Sequence, residues 1–333
     1  MFLSAVSLAI ALVATASEGT QIPKKDMGAY QKVRKSMVIL KSGSTDLGMG
    51  LCVDSENRLF LAHMSAIRFP VLFGRLSSGR IVELTVRAKD ETTQLAILEA
   101  NPAQWTKMEP LTVASENPKA GSRVFAVLPN GPISAEIVSH ERLGVVSTNN
   151  RTIPLMELKF EASLDRVGGA PLFNSSGELL GILNATLPTQ SPQMAIPNGF
   201  ASGSGGSAAM KVQSANQYGP IVLTVGYALN PQLLNKSIAG FTSAKRNVEH
   251  ATIGVFLAES GDKGAMVRKL QPGLAAEEAG MREGDLIIEI SGKTIKNQYD
   301  FVCAMMGQSV GKPVEFKVKR NGETLTLSIT PKS

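Results

Sequence analysis

Between residues 32 and 185 the chain alternates short apolar runs with turn residues, the runs falling at 36–41, 48–54, 58–62, 81–87, 95–99, 123–128, 133–139, 155–160 and 179–184. Runs of this length and spacing predict antiparallel strands closed into a barrel or stacked as a sandwich, and periodicity alone does not choose between them. From 187 to 219 the composition turns to Pro, Ser, Gly, Gln and Asn, with SGSGGS at 202–207, which predicts a flexible surface loop. Apolar character returns at 221–231. A helix is expected from Pro231 to about residue 244, because proline suits a first turn and Leu233, Leu234, Ile238 and Phe241 share a face.

Strands and turns resume from about 251 to 330, now with two helical pieces, 273–280 closed by glycine and 297–307 with Asn297 as its cap. Residues 314–330 read as a hairpin whose Asn321-Gly322 pair supplies a positive-φ turn. The first sixteen residues, 1–16, are apolar and end in Ala-Thr-Ala, the pattern of an exported signal segment cleaved after Ala16. An uncleaved N-terminal anchor is the other reading, since the segment lacks Lys and Arg.

Composition narrows the function classes. With 43% hydrophobic and 19% charged residues among 333, the chain is long enough for two or three domains with separate cores. The net charge of +6 is spread rather than gathered into aromatic-interleaved blocks, so no nucleic-acid partner is expected. His63, His140 and His250 are isolated from one another and from Cys52 and Cys303, so neither a metal nor another cofactor is expected. The two cysteines read as buried free thiols.

Candidate chemistry centres on residues 168–174, Gly-Gly-Ala-Pro-Leu-Phe-Asn, followed by Gly-Glu-Leu-Leu-Gly-Ile at 177–182. This resembles the nucleophile segment Gly-Asn-Ser-Gly-Gly-Pro-Leu of HtrA (DegP/DegQ-like) proteases. Alignment on Pro171 places Gly168 at the serine position; alignment on the paired glycines places Val167 there. Three further windows resemble the family in order. Gly-Met-Gly-Leu-Cys-Val-Asp at 48–54 and Leu-Phe-Leu-Ala-His at 59–63 match the strands leading to the general base, at His63. Gln-Leu-Ala-Ile-Leu at 94–98 matches Asp-Leu-Ala-Val-Leu, with Gln94 at the aspartate position. Gly-Tyr-Ala-Leu-Asn-Pro at 226–231 matches the segment that closes the barrel.

A Ser-His-Asp triad needs the serine for the acyl bond, the histidine for its proton and the carboxylate to fix the tautomer, and an amide in place of that carboxylate alone costs about 10⁴ in kcat. The aligned set His63, Gln94 and Gly168 therefore reads as a degenerate triad. The alternative is an active endopeptidase with an atypical nucleophile, for which Ser163, Ser175 and Ser176 are the nearby hydroxyls; Asp90 reads as a solvated turn residue.

The stretch from 251 onward resembles a PDZ domain of the HtrA type. Thr252-Ile253-Gly254-Val255 looks like the carboxylate-binding loop Tyr-Leu-Gly-Val, and 270–295 follows the family pattern almost throughout. In such a groove backbone N–H groups capture a peptide's terminal carboxylate while a strand edge pairs with its backbone.

The resemblance implies a mainly β protein: a trypsin-like double β-barrel over 30–246, with the loop 187–219, then a PDZ domain (α+β, a small partly open barrel) over 251–332. It implies an exported, periplasmic pseudoprotease whose partners are peptide or protein C-termini. A homo-oligomer is implied by the resemblance alone, because residues 21–30 carry no distinctive assembly motif.

Overall fold

A computed structural model of the chain describes residues 22–67, 69–146, 151–160, 168–189, 223–258, 260–261 and 263–333. The signal segment, Ser163, Val167 and most of the 187–219 loop lie outside the described residues.

The first six strands, β1 (Met37–Ser42), β2 (Thr45–Asp54), β3 (Leu59–His63), β4 (Val71–Leu76), β5 (Ile81–Asp90) and β6 (Leu95–Ala100), close into an antiparallel barrel in the order β1-β2-β3-β6-β5-β4. Six more, β7 (Arg123–Leu128), β8 (Gly131–Val145), β9 (Thr152–Phe160), β10 (Pro171–Phe173), β11 (Leu179–Thr189) and β12 (Leu223–Leu229), close a second barrel in the order β10-β11-β12-β9-β8-β7. Closure leaves neither barrel a free sheet edge. This is the trypsin-like double barrel.

Each barrel fills its own interior, the first around Leu40, Phe60, Leu72 and Leu84, the second around Ile137, Leu158, Phe160 and Leu172. A third cluster lies between them, where Leu51, Leu61, Ile97, Phe125, Leu155 and Phe173 meet residues of two helices flanking the barrels and Met306 from the last unit. One helix is α1 (Lys24–Val33), which the sequence reading did not foresee; Val33 and the preceding Ile22 are buried in that cluster. The other is α2 (Pro231–Thr242), close to the expected span, with Asn230 Oδ1 accepting from Leu233 N at 2.9 Å as its cap. Strand β4 was also unforeseen: Gly74 and exposed Val71 and Phe73 break the run of buried apolar residues that marks its neighbours. Strand β11 continues through Thr189, so the expected loop begins at least three residues later than 187.

The last unit is a six-stranded sheet in the order β13 (Val255–Ala258), β14 (Ala265–Leu270), β15 (Leu286–Ile290), β17 (Val314–Arg320) and β18 (Glu323–Ile329), with β16 (Lys293–Thr294) paired to β15. Helices α3 (Ala275–Glu278) and α4 (Gln298–Met306) cover it, and the Asn297 side chain caps α4 by accepting from Asp300 N at 2.9 Å. Asn321 and Gly322 both take positive φ in the β17–β18 hairpin, as their sequence requires. Its own core gathers Ile253, Val267, Ile287, Phe301, Met305 and Phe316. Among the described residues no helix is long and apolar enough to cross a membrane.

Candidate functional site

Strand β3 is buried along its whole length and delivers His63 to the seam between the barrels. The ring's two nitrogens are both engaged. Nδ1 accepts from the backbone N–H of Ser65 at 3.2 Å and lies 2.8 Å from Ser65 Oγ. A backbone amide only donates, so Nδ1 is the unprotonated nitrogen and Nε2–H donates to Asn184 Oδ1 at 3.0 Å. Asn184 is held in turn, its Nδ2 donating to the Thr93 carbonyl at 3.1 Å. Burial pushes the His63 pKa below its ordinary value and outweighs the hydrogen bond to Asn184, which acts in the opposite direction, so the balance favours a neutral ring.

Asn184 reaches the ring because of a register shift. On β11, Leu183 pairs with Ala228 and Ala185 with Tyr227, so Asn184 is the extra residue of a bulge, a device that re-aims one side chain. Neither Asn184 nor Ser65 was among the sequence candidates; a polar residue inside the apolar run Leu-Leu-Gly-Ile-Leu-Asn is the signal that was available.

Gln94 occupies the turn between β5 and β6 with φ +58°, and its side-chain amide donates to the Glu91 carbonyl at 2.8 Å. The side-chain oxygen at the His63 ring is therefore that of Asn184 and not of Gln94, whose backbone carbonyl accepts from Met64 N nearby. Asp90 departs from its reading as a solvated turn residue. It is buried, accepts from Thr92 N at 3.0 Å and Thr93 Oγ1 at 2.6 Å, and lies 2.9 and 3.0 Å from His250 Nε2.

Gly168 does face His63: a Cβ there would lie 3.4 Å from ring atoms Nδ1 and Cε1 and 3.1 Å from Ser65 Oγ. Its neighbour Gly169 has φ +88°, and a Cβ on it would come within 2.7 Å of His63 Cβ. Ser175 and Ser176 sit in the Asn174–Glu178 turn, where Asn174 Oδ1 accepts from Ser176 N and Glu178 N. Cys52 is buried and Cys303 only half-buried, a departure from two buried thiols; burial is the main cause that pushes them up to about 12 and about 11, so neither supplies a thiolate.

In the last unit Thr252 exchanges backbone hydrogen bonds with Lys332, at 2.8 and 2.9 Å. The carbonyls of Ile253 and Gly254 accept from Ala276 N and Gln271 N, which fixes the loop from behind. Gly254 has φ +78°, and a Cβ there would lie 2.5 Å from Leu274 Cβ, so only glycine fits. Ile253 is buried in the unit's own core, whereas Val255 is half-buried at the start of β13. β13 pairs on one side only, with β14, among the described residues. On α4, Phe301 and Met305 enter the unit's own core, Met306 packs into the cluster between the barrels, and Val302 is half-buried.

This sequence matches the PDZ domain family over residues 251–330. The chain is similar to the serine protease Do-like HtrA of Bacillus subtilis, 26% identical over 271 residues, covering 76% of this chain and 56% of that protein. A probable periplasmic serine endoprotease, DegP-like, of Marinomonas is 26% identical over 303 residues, covering 86% of this chain and 57% of its own length. The chain thus spans a little over half the length of these curated relatives. Among solved structures, the HtrA-type protease AlgW with tripeptide superposes with a TM-score of 0.67 at 16% identity, over 92% of this chain and 96% of that one. A serine endoprotease from Yersinia pestis gives 0.58 at 19% identity, over 94% and 99%. The double barrel followed by the PDZ sheet is accordingly the fold of the HtrA-type proteases to which the chain is similar, a trypsin-type fold with a PDZ domain over residues 251–330.

Proposed function

We propose that this chain is an exported HtrA-like pseudoprotease that binds peptide or protein C-termini through its PDZ domain and acts as a scaffold or regulator. The observation that carries the loss of peptide hydrolysis is Gly168, which faces the His63 ring without a hydroxyl while Gln94 turns its amide to Glu91. Acyl transfer at that position then has no nucleophile and its base has no carboxylate.

Peptide binding is supported by the single-sided edge of β13, the glycine-dependent turn at Gly254 and the half-buried Val255. Relatives solved with a decapeptide and a tripeptide are consistent with such a groove. A periplasmic setting is suggested by relatives that carry that word in their names. Self-association is part of the proposal by likeness alone.

Two measurements test it together. Purified protein incubated with casein should give no time-dependent fragments, while peptides with an apolar last residue should bind as free acids and lose affinity when amidated. Cleavage that His63→Ala abolishes would overturn the pseudoprotease reading; equal binding of acid and amide would overturn the C-terminus reading.

A further inference from the structure

His63 is flanked by a serine that the family alignment does not single out. Ser65 is exposed, its Oγ is 2.8 Å from His63 Nδ1, and the opposite ring nitrogen is 3.0 Å from Asn184 Oδ1. Asn184 is itself anchored on Thr93. A hydroxyl within hydrogen-bond reach of a neutral imidazole, whose far nitrogen is fixed by a third group, is the arrangement that activates a nucleophile, and an amide in the third place is known from Cys-His-Asn hydrolases. Glycine at 168 keeps the approach to the hydroxyl clear, since even a Cβ there would lie 3.1 Å from Ser65 Oγ.

We infer that Ser65, His63 and Asn184 form a hydrolytic site, distinct in its nucleophile from the aligned triad, that cleaves carboxylic acid esters with good leaving groups. Ser65 Oγ attacks the acyl carbon and its proton passes to His63 Nδ1; the ester's C–O bond breaks, and the leaving oxygen takes that proton away as alcohol or phenol. Water then attacks the Ser65 acyl ester, its proton passing through Nδ1 back to Ser65 Oγ, so that one ester and one water yield one acid and one alcohol. Asn184 accepts from Nε2–H throughout and holds the ring's orientation. Peptide bonds fall outside the class: an amine leaves only when firmly protonated, and a neutral amide partner stabilises the imidazolium far less than a carboxylate would. The Ser65 backbone N–H also shares the Nδ1 lone pair, which lowers its basicity further.

The inference stands apart from the peptide-binding proposal and is tested on the intact chain with p-nitrophenyl acetate. A burst of nitrophenol is expected, with an acetyl group mapped by peptide mass spectrometry to Ser65. Ser65→Ala should abolish burst and adduct while keeping the thermal midpoint, and Asn184→Ala should slow acylation by about tenfold or more, within the contribution usual for acid–base groups. Ser175→Ala should change nothing. Should Ser65→Ala fail to fold, the wild-type adduct map still decides. No adduct, an adduct on another residue, or an undiminished burst in folded Ser65→Ala overturns the site, and peptide affinity measured on the same preparation shows separately whether the groove proposal holds.

Discussion

At position 168 the proposed pseudoprotease lacks a hydroxyl, and the surrounding geometry is one that a serine placed there would not by itself convert to a triad. His63 presents Nδ1 to Ser65 and Nε2 to Asn184, and Gln94 sits at φ +58° with its side chain committed to Glu91. Gly168→Ser combined with Gln94→Asp is therefore expected to leave casein uncleaved, and robust turnover in that double mutant would show that a triad geometry is accessible to these elements. Gly169→Ala should destabilise the fold by about 1–3 kcal/mol, because its positive φ disfavours any side chain and the added carbon meets His63 Cβ at 2.7 Å. Thermal unfolding of the variant checks the size.

His63 also makes stability depend on pH with a definite sign. Burial holds its folded pKa below the ordinary 6.5. The unfolded chain thus binds the proton more readily, and stability rises with pH where the two states differ in protonation. Its contribution is complete above the unfolded value and is lost as pH falls from there through the lower folded one. Denaturant midpoints at about pH 8 and about pH 5 should accordingly differ more in the wild type than in His63→Gln; equal differences would mean that the ring is not the group responsible.

At the scale of elements, most strands, the start of α2 at Pro231, the Asn297 cap and the final hairpin were legible because each depends on local chemistry: short apolar runs between turns, proline in a first turn, an asparagine cap, Asn321-Gly322 as a turn. What was not legible depends on pairing across long separations. Asn184 is 121 residues from His63 and Asp90 is 160 from His250, and a bulge that re-aims one side chain leaves no periodic trace. The helix α1 was missed because its apolar anchors are sparse, Val33 and the preceding Ile22 buried with Ala29 and Tyr30 partly so, and Gly28 sits in its middle. The loop proposed to bind a terminal carboxylate illustrates the local case. Gly254→Ala places a carbon 2.5 Å from Leu274 Cβ in a backbone that only glycine accepts readily, so peptide affinity should fall at least tenfold, with a lower melting point for the PDZ domain. Unchanged affinity by fluorescence anisotropy would mean that this turn does not shape the groove.

In the whole molecule, the PDZ domain is held against the barrels by groups on both sides of α4 and its lead-in. Met306 enters the cluster between the barrels, Tyr299 Oη donates to the His140 carbonyl at 2.7 Å, and Lys236 Nζ donates to the Met306 carbonyl at 2.7 Å. Just ahead of the domain, His250 contacts Asp90, and its carbonyl accepts from Arg151 at 2.6 Å. Asp90 also holds Thr93, whose carbonyl anchors Asn184, so the entry to the PDZ domain and the His63 site share one chain of hydrogen bonds. Helix α4 is thus braced from behind by the barrels, and if it walls the proposed groove beside β13, a wall fixed before binding spares a peptide the cost of ordering it. Segment 251–332 has its own core and should fold alone, binding free-acid peptides at about micromolar affinity, roughly −8 kcal/mol. The intact chain should bind the same peptides more tightly, and Asp90→Ala, which leaves the buried His250 Nε2 without its acceptor, should move the intact chain toward the isolated segment. Calorimetric titration of all three forms decides the matter: tighter binding by the isolated segment would mean that the barrels obstruct the groove instead of bracing it.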